Sequence, residues 1–145
     1  MSGTFMGTYE NSITNRRASI PSHFRKLISP AAKMQLIAVR GRLNTIYIFP
    51  LDNWKDLEEK LENGTNKQRK LLRRFRFYAT PLTIEGPGRI LIPQKLLDIA
   101  SIIDKVIFIG EGKYFSIWNT KNYRKYESEI EKLYDKTIKN NQDLL

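Results

Sequence analysis

Residues 85 to 93 read EGPGRILIP, with a carboxylate four residues ahead of an arginine and only Gly-Pro-Gly between them. Proline at 87 presets the first corner of a tight turn, and Gly88 can take the positive φ that the next corner of a type II turn requires. So placed, Glu85 and Arg89 are expected to meet across a hairpin mouth, the carboxylate holding the guanidinium through paired charge-assisted hydrogen bonds. A guanidinium held at a loop tip has a fixed direction, which suits aim at a base edge or a phosphate. The same two residues are equally readable as an exposed ion pair worth about 0–1 kcal/mol and nothing else. The local residues do not separate these readings.

Other chemistry has little to work with. His23 is the only histidine and there is no cysteine, which excludes disulfides, thiolate metal sites and multi-histidine metal sites. A general base at 23 would need a nucleophile or an orienting carboxylate, and the sequence around it identifies neither. His23 reads as a capping or surface group at the start of a short helix. Glu58, Glu59 and Glu62 are interspersed with Lys55 and Lys60 and read as a solvated helix face. No catalytic residue, metal or cofactor is expected, and an enzyme is the least expected outcome.

Charge is more informative. The chain of 145 residues carries a net +10, and two stretches account for most of it. Residues 65–78, TNKQRKLLRRFRFY, hold six Lys/Arg and no acid; residues 1–26 hold Arg16, Arg17, Arg25 and Lys26 against Glu10 alone. Clustered cations point to a polyanion, either nucleic acid or an anionic membrane surface, with a solubilising basic face as the plain alternative. An apolar fraction of 41% and a length of 145 residues fit one folded domain with a real core. The start, MSGTFMGTYE, has no basic opening or apolar core of a secretory signal, and no apolar run reaches membrane-spanning length. A soluble, cytoplasmic chain is expected.

The elements that must position these residues occur twice. RRASIPSHFRKLI (16–28) lies over GRILIPQKLLDIA (88–100) at an offset of 72, and GRLNTIYIFPLDNW (41–54) over GEGKYFSIWNTKNY (110–123) at an offset of 69. In each copy a strand enters, GTYENSI or TPLTI, and after a turn Arg17 or Arg89 opens a second short strand. In that strand Ile90 and Ile92 face opposite to Arg89 and Leu91. Pro21 and Pro93 stop the strand and suit the first turn of a helix, along which Phe24, Leu27, Ile28 and Leu96, Leu97, Ala100 recur at helical spacing. A hairpin follows in each copy, MQLIAVRGRLNTIYIF and KVIFIGEGKYFSIW, and then a polar-amphipathic helix, LDNWKDLEEKLE and TKNYRKYESEIEKLYDK. Gly110 and Gly112 fit a hairpin turn, so GEG is no phosphate loop. One such unit is too small to bury a core alone, so the two copies are expected to pack as a single pseudo-twofold, β-rich body.

Acid-x-x-Gly-Arg followed by an apolar run, Ile-Pro and a short helix resembles the SpoVT/AbrB swapped-hairpin family of bacterial DNA-binding proteins. Two copies joined by a helix rich in Arg and Phe, with YIFPLDNWKDLEEKL closing the first, resemble the MraZ family in particular. The likeness spans residues 6–126. It implies a mixed β/α fold in which two tandem half-units interleave their hairpins into one pseudo-twofold swapped-hairpin β-barrel with flanking helices. The divisions would be 1–64, a basic connecting helix at 65–78, 79–126, and a helical tail at 127–145. It implies a transcriptional regulator, usually a repressor, that binds direct repeats in double-stranded DNA upstream of the division and cell-wall gene cluster as a ring-like homo-oligomer in the nucleoid. Carried over by position, the DNA-facing residues are Glu85 and Arg89 in the second half and Arg17 in the first, with Arg25 and Lys26 on the helix that follows; Arg16, beside Arg17, is counted with them for its charge. Glu85 replaces the more usual aspartate, and Pro87 stands where a lysine or glutamine is frequent. The first turn is one residue shorter, its acid position falls on Ile13 or Thr14, and Arg16 displaces the glycine. Leu97 and Asp98 stand where the first half has Arg25 and Lys26. Glu85 is therefore expected to position an arginine, while the first turn supplies charge.

A rival reading rests on KQRKLLRRFRFY: Leu71, Leu72, Phe75 and Tyr78 recur at helical spacing among cations, as in an RNA-binding or anionic-membrane-surface module. The plainer expectation is that this stripe packs on the body.

Overall fold

The computed structural model describes residues 1–145 as a mixed β/α fold of eight strands and five α-helices. Strands β1 (Thr8–Ser12) and β2 (Arg17–Ser19) precede helix α1 (Ser22–Leu27); strands β3 (Gln35–Arg40) and β4 (Ile46–Pro50) precede α2 (Leu51–Glu62). Helix α3 (Asn66–Tyr78) leads into the second series: β5 (Thr80–Thr83), β6 (Arg89–Leu91), α4 (Gln94–Ile99), β7 (Lys105–Gly110), β8 (Phe115–Asn119) and α5 (Thr120–Asn140). The repeat in the sequence is thus a repeat of elements. Helix α3 starts where the chain can close its own orphan donors: the Thr65 hydroxyl accepts from Gln68 N–H at 3.2 Å and the Gln68 side-chain Oε1 accepts from Thr65 N–H at 2.8 Å.

Six strands form one antiparallel sheet in the order β1-β7-β8-β4-β3-β5, while β2 and β6 form a separate two-stranded ribbon. Strand β1 pairs with β7 of the other series, and β5 with β3. Reversing the sheet order exchanges the two series strand for strand. The registers carry the same symmetry. In the ribbon Ala18 faces Ile90, 72 positions on; at the centre of the sheet Tyr47 faces Ser116, 69 positions on. Ile20 N–H donates to the Gly88 carbonyl at 2.9 Å and, as its counterpart, Ile92 N–H donates to the Arg16 carbonyl at 2.7 Å. The two offsets seen in the sequence are therefore the offsets by which the pairings exchange.

Side-chain alternation sets the layers. One face of the sheet (Leu36, Ala38, Ile46, Ile48, Val106, Phe108, Phe115, Ile117) and the inner face of the ribbon (Ala18, Ile90) bury against each other with Phe5, Ile20, Phe24 and Ile92. Phe5, Phe24 and Phe115 meet with ring centroids 5.1–5.4 Å apart. The opposite face is covered twice over. Ile37, Val39 and Phe49 pack under Trp54 of α2 and Phe75 of α3; Trp118 packs against Tyr123 and Tyr126 of α5, with centroids at 5.4 and 5.1 Å. Beyond Tyr126 every side chain of α5 is exposed.

The stripe on α3 goes mostly to the body: Leu72 is buried, Phe75 joins the second cluster and Tyr78 packs on the main core, while Leu71 and Phe77 stay exposed. The acids of α2 are not merely solvated. Glu58 and Glu62 both pair with Arg76, at 2.9 and 3.3 Å, and fasten α3 to α2. Asp52, at the start of α2, accepts from Ser2 N–H (2.7 Å), the Ser2 hydroxyl (2.9 Å) and the Ser29 hydroxyl (3.1 Å), tying the N-terminus and the end of α1 to one carboxylate. No helix is long and apolar enough to cross a membrane.

Candidate nucleic-acid interface

Ribbon β2–β6 turns its outer face away from the core, and each strand opens with an arginine. Arg17 lies opposite Leu91, and Arg89 opposite Ser19. The two arginines therefore sit diagonally across a two-stranded antiparallel pair, where such neighbours are roughly 7–8 Å apart. Ala18 and Ile90 point inward and are almost fully buried, so the arginines must point outward, and both are half-exposed.

The turns that deliver these arginines differ by one residue. In the first, Thr14 and Arg17 exchange both backbone hydrogen bonds (3.0 and 2.9 Å), leaving Asn15 and Arg16 as the two corner residues. Both lie at positive φ, 52° and 62°, the conformation of a hairpin turn matched to strand twist. Asn15 suits this; Arg16 occupies left-handed space that glycine fills in the second copy. In the second turn Glu85 and Arg89 exchange backbone hydrogen bonds, Glu85 N–H to Arg89 O at 2.8 Å and Arg89 N–H to Glu85 O at 2.9 Å. Thr14 is thus the structural counterpart of Glu85.

Two local expectations are corrected here. Gly88 does lie at positive φ (104°), but Gly86 (47°) is the first corner and Pro87 the second, because Gly88 N–H donates to the Glu85 carbonyl at 3.0 Å. Glycine on both sides of the proline lets the bend start one residue earlier than a Pro-Gly corner would. The second correction concerns the acid. Glu85 makes no ion pair with Arg89; its Oε2 lies 3.8 Å from Nε of Arg17, in the other half. Glu85 and Arg89 are joined through their backbones only. The acid missing before Arg17 is therefore supplied across the ribbon, by the neighbouring turn.

A further contact crosses the halves. The Arg25 guanidinium of α1 donates through Nη1 to the Pro87 carbonyl, and its side chain lies along Gly88. A Cβ at 88 would meet the outer part of that flexible side chain and displace it, while the positive φ of 104° is what calls for glycine here. At the equivalent place α4 carries Leu97, which is buried and has no such reach. Arg25 and Lys26 form the last turn of α1, where the partial negative charge of a helix end favours cations.

Six residues singled out in the sequence thus fall on one region. Arg16, Arg17, Glu85 and Arg89 stand on the ribbon and its turns, Arg25 reaches the second turn, and Lys26 is exposed beside Arg25. Arg16, Arg25, Lys26 and Arg89 have no carboxylate partner. The region has one acid and five cations: Arg17 and Arg25 are each anchored near the tip, by Glu85 and by the Pro87 carbonyl, with guanidinium nitrogens to spare, and the other three have no carboxylate partner. His23 is exposed on α1, with its ring centroid 6.3 Å from that of Tyr9, and forms no ion pair. The sequence reading missed the cross-half contacts Glu85–Arg17 and Arg25–Pro87. The repeat itself was their only signal, since it implies that the two turns approach one another.

Comparison with known proteins bears on this geometry. A family model described as "MraZ protein, putative antitoxin-like" matches residues 77–143. The chain is 34% identical to a transcriptional regulator MraZ of Clostridium tetani over 126 residues, covering 84% of this chain and 86% of the relative. It is 34% identical to that of Clostridium acetobutylicum over 132 residues, 88% and 90% of the two chains. With that of Alkaliphilus metalliredigens it shares 31% identity over 144 residues, 97% and 98%. Relatives of this identity align along 84–97% of the chain, and so the chain belongs to the MraZ family.

Proposed function

We propose that this protein is a sequence-specific DNA-binding transcriptional regulator, acting as a repressor, whose ribbon β2–β6 enters the major groove. The observation that carries the reading is the pair Arg17 and Arg89, set diagonally on the outer face of one ribbon among unpaired cations. The major groove admits a two-stranded ribbon, and an arginine fork on guanine is the commonest specific contact. Arg16, Arg25 and Lys26 would hold phosphates, and Glu85 would set the direction of Arg17.

The exchanged pairings β1–β7 and β5–β3 support a swapped-hairpin barrel made within one chain, divided at 1–64, 65–78, 79–126 and 127–145. One ribbon per chain offers few base contacts, so tight binding requires several ribbons on repeated boxes. A ring of identical subunits on direct repeats meets that need. The targets would lie ahead of the division and cell-wall gene cluster, with the protein in the cytoplasm on the nucleoid.

The test is a footprint on the DNA upstream of the protein's own gene, repeated over a salt series. Log affinity should fall with log salt at roughly 0.9 per phosphate contacted, and Lys26→Gln should lower that slope by about that amount per subunit engaged while weakening all sequences alike. No protected repeat, or an affinity that is flat between low and moderate salt, would refute the reading.

A further inference from the structure

A second concentration of cations lies away from the ribbon. A cavity of about 500 Å³ opens between α3, the end of β3 and the loop after it, with Arg40, Arg42 and Arg74 in its wall beside Tyr47, Phe75 and Tyr78. Two guanidiniums converge on one phenol there: Arg40 donates to the Tyr78 hydroxyl at 2.8 Å and Arg74 at 3.0 Å. Lys95 reaches the same ring from α4, with Nζ 5.3 Å from its centroid. None of these four cations forms an ion pair.

The contrast within α3 shows how unusual that is. Arg76, two residues on and on another face, is matched by two carboxylates, Glu58 and Glu62. Arg74 faces only other cations and neutral groups. The second guanidinium nitrogen of Arg40 goes to the amide oxygen of Asn44 at 2.6 Å, again neutral. Arg42 makes no side-chain hydrogen bond and is exposed at the rim. Like charges so placed repel unless an anion joins them. Their field already shows on Tyr78: the hydrogen bond from Arg40, with the nearby charges of Arg40, Arg74 and Lys95, holds its phenol below the ordinary tyrosine value against the opposing effect of burial.

We infer that this cavity is a phosphate-binding site, in which Arg40, Arg42 and Arg74 grip a phosphate group against the Tyr78 hydroxyl. Guanidinium forks match phosphate oxygens in pairs, and a site with three of them favours a multiply charged oxyanion over a single carboxylate. The cavity's size is that of a small-molecule site, and the aromatic walls would cover the apolar part of a phosphorylated compound. The phosphate could equally belong to a nucleic-acid backbone. Strand β5 separates Tyr78 from Glu85, about 3.3 Å per residue, so the site stands roughly 20 Å from the second turn and shares no residue with the ribbon. It can be true or false independently of the proposed base readout.

Calorimetric titration with sodium pyrophosphate, against sodium chloride at matched ionic strength, and binding to a short duplex over a salt series separate the two sources. For a free ligand, pyrophosphate binds the full-length protein, Arg74→Gln weakens it at least tenfold, and Arg25→Gln at the ribbon leaves it unchanged. For a nucleic-acid phosphate, Arg74→Gln instead lowers the salt slope of duplex binding by about 0.9 per engaged subunit. Arg42→Gln, which removes no hydrogen bond, repeats either result without risk to the fold. If both variants leave pyrophosphate affinity and salt slope as in the parent, the site does not exist.

Discussion

Glu85 is paired directly with Arg89 through the backbone, yet its carboxylate reaches Arg17, and this can be measured. Across 3.8 Å the two unit charges are worth about 1 kcal/mol at the dielectric of water. The pair is roughly half-exposed, with 39% and 52% of the two side chains accessible, and makes a single contact rather than a fork. Screening and the entropy of two long side chains bring the coupling to about 0.2–1 kcal/mol. A double-mutant cycle in urea denaturation with Glu85→Gln and Arg17→Ala should return a coupling in that range, whereas Glu85→Gln with Arg89→Ala should return one near zero. If the ribbon binds DNA as proposed, the asymmetry has a functional counterpart. Arg89→Ala should cost about 1–3 kcal/mol on the specific site and relax preference at one position. Glu85→Gln should cost less on that site and strengthen non-specific binding, because it removes the one acid from a basic face. Arg89→Lys should restore non-specific affinity better than specificity, since it keeps charge and loses the planar fork. A Glu85–Arg89 coupling larger than the Glu85–Arg17 coupling would refute the cross-half arrangement; Arg89→Ala with operator preference intact would reduce the second turn to a spacer.

Two further outcomes are expected. Gly88→Ala should lower the melting temperature and weaken DNA binding together, because a Cβ there meets the Arg25 side chain and φ is 104°; equal melting temperatures for the two proteins would show that the turn relaxes freely. Burial raises the pKa of Asp52, but the hydrogen bonds from Ser2 and Ser29 outweigh it and leave the group below the ordinary carboxylate value. A depressed pKa contributes stability that is present above the unfolded value, roughly 3.9, and is lost as pH falls through the folded one. Asp52→Asn should therefore destabilise at neutral pH and flatten the decline below about pH 4; parallel acid limbs in thermal melts would contradict this.

Much of the fold could be read in the sequence because its signals are local. The run LDNWKDLEEKLE is α2 residue for residue, and the alternation in RILI predicts which side of β6 is buried. The repeat offsets survive as the registers of Ala18 with Ile90 and Tyr47 with Ser116. The contacts missed are those between residues far apart in sequence. Glu85 is four residues from one arginine and 68 from another, and only the ribbon, which brings β2 beside β6, makes the distant one the nearer partner. The corner Pro87 takes is ambiguous in the sequence for a different reason: with glycine on each side, either can take the left-handed corner, and hydrogen bonding alone decides between them. Arg16 at positive φ carries no sequence signal beyond its alignment with Gly88.

The exchange of strands between the two series also has a consequence in time. Strand β1 is made early, but its partner β7 begins at residue 105, nearly a hundred residues later. At ~5–20 residues per second, a ribosome leaves that edge unpaired for about 5–20 seconds. For most of that interval β2 also lacks β6, and Ala18, Ile20 and Phe24 have no opposite wall to bury against. The nascent first half is thus a sticky, open-edged intermediate whose closest substitute for the missing half is another copy of itself, since Ala18 and Ile90 occupy equivalent places on the axis. A ribosome that stalls in α3 would release chains able to close only by pairing with one another, and synthesis must outrun that meeting for the intact molecule to form.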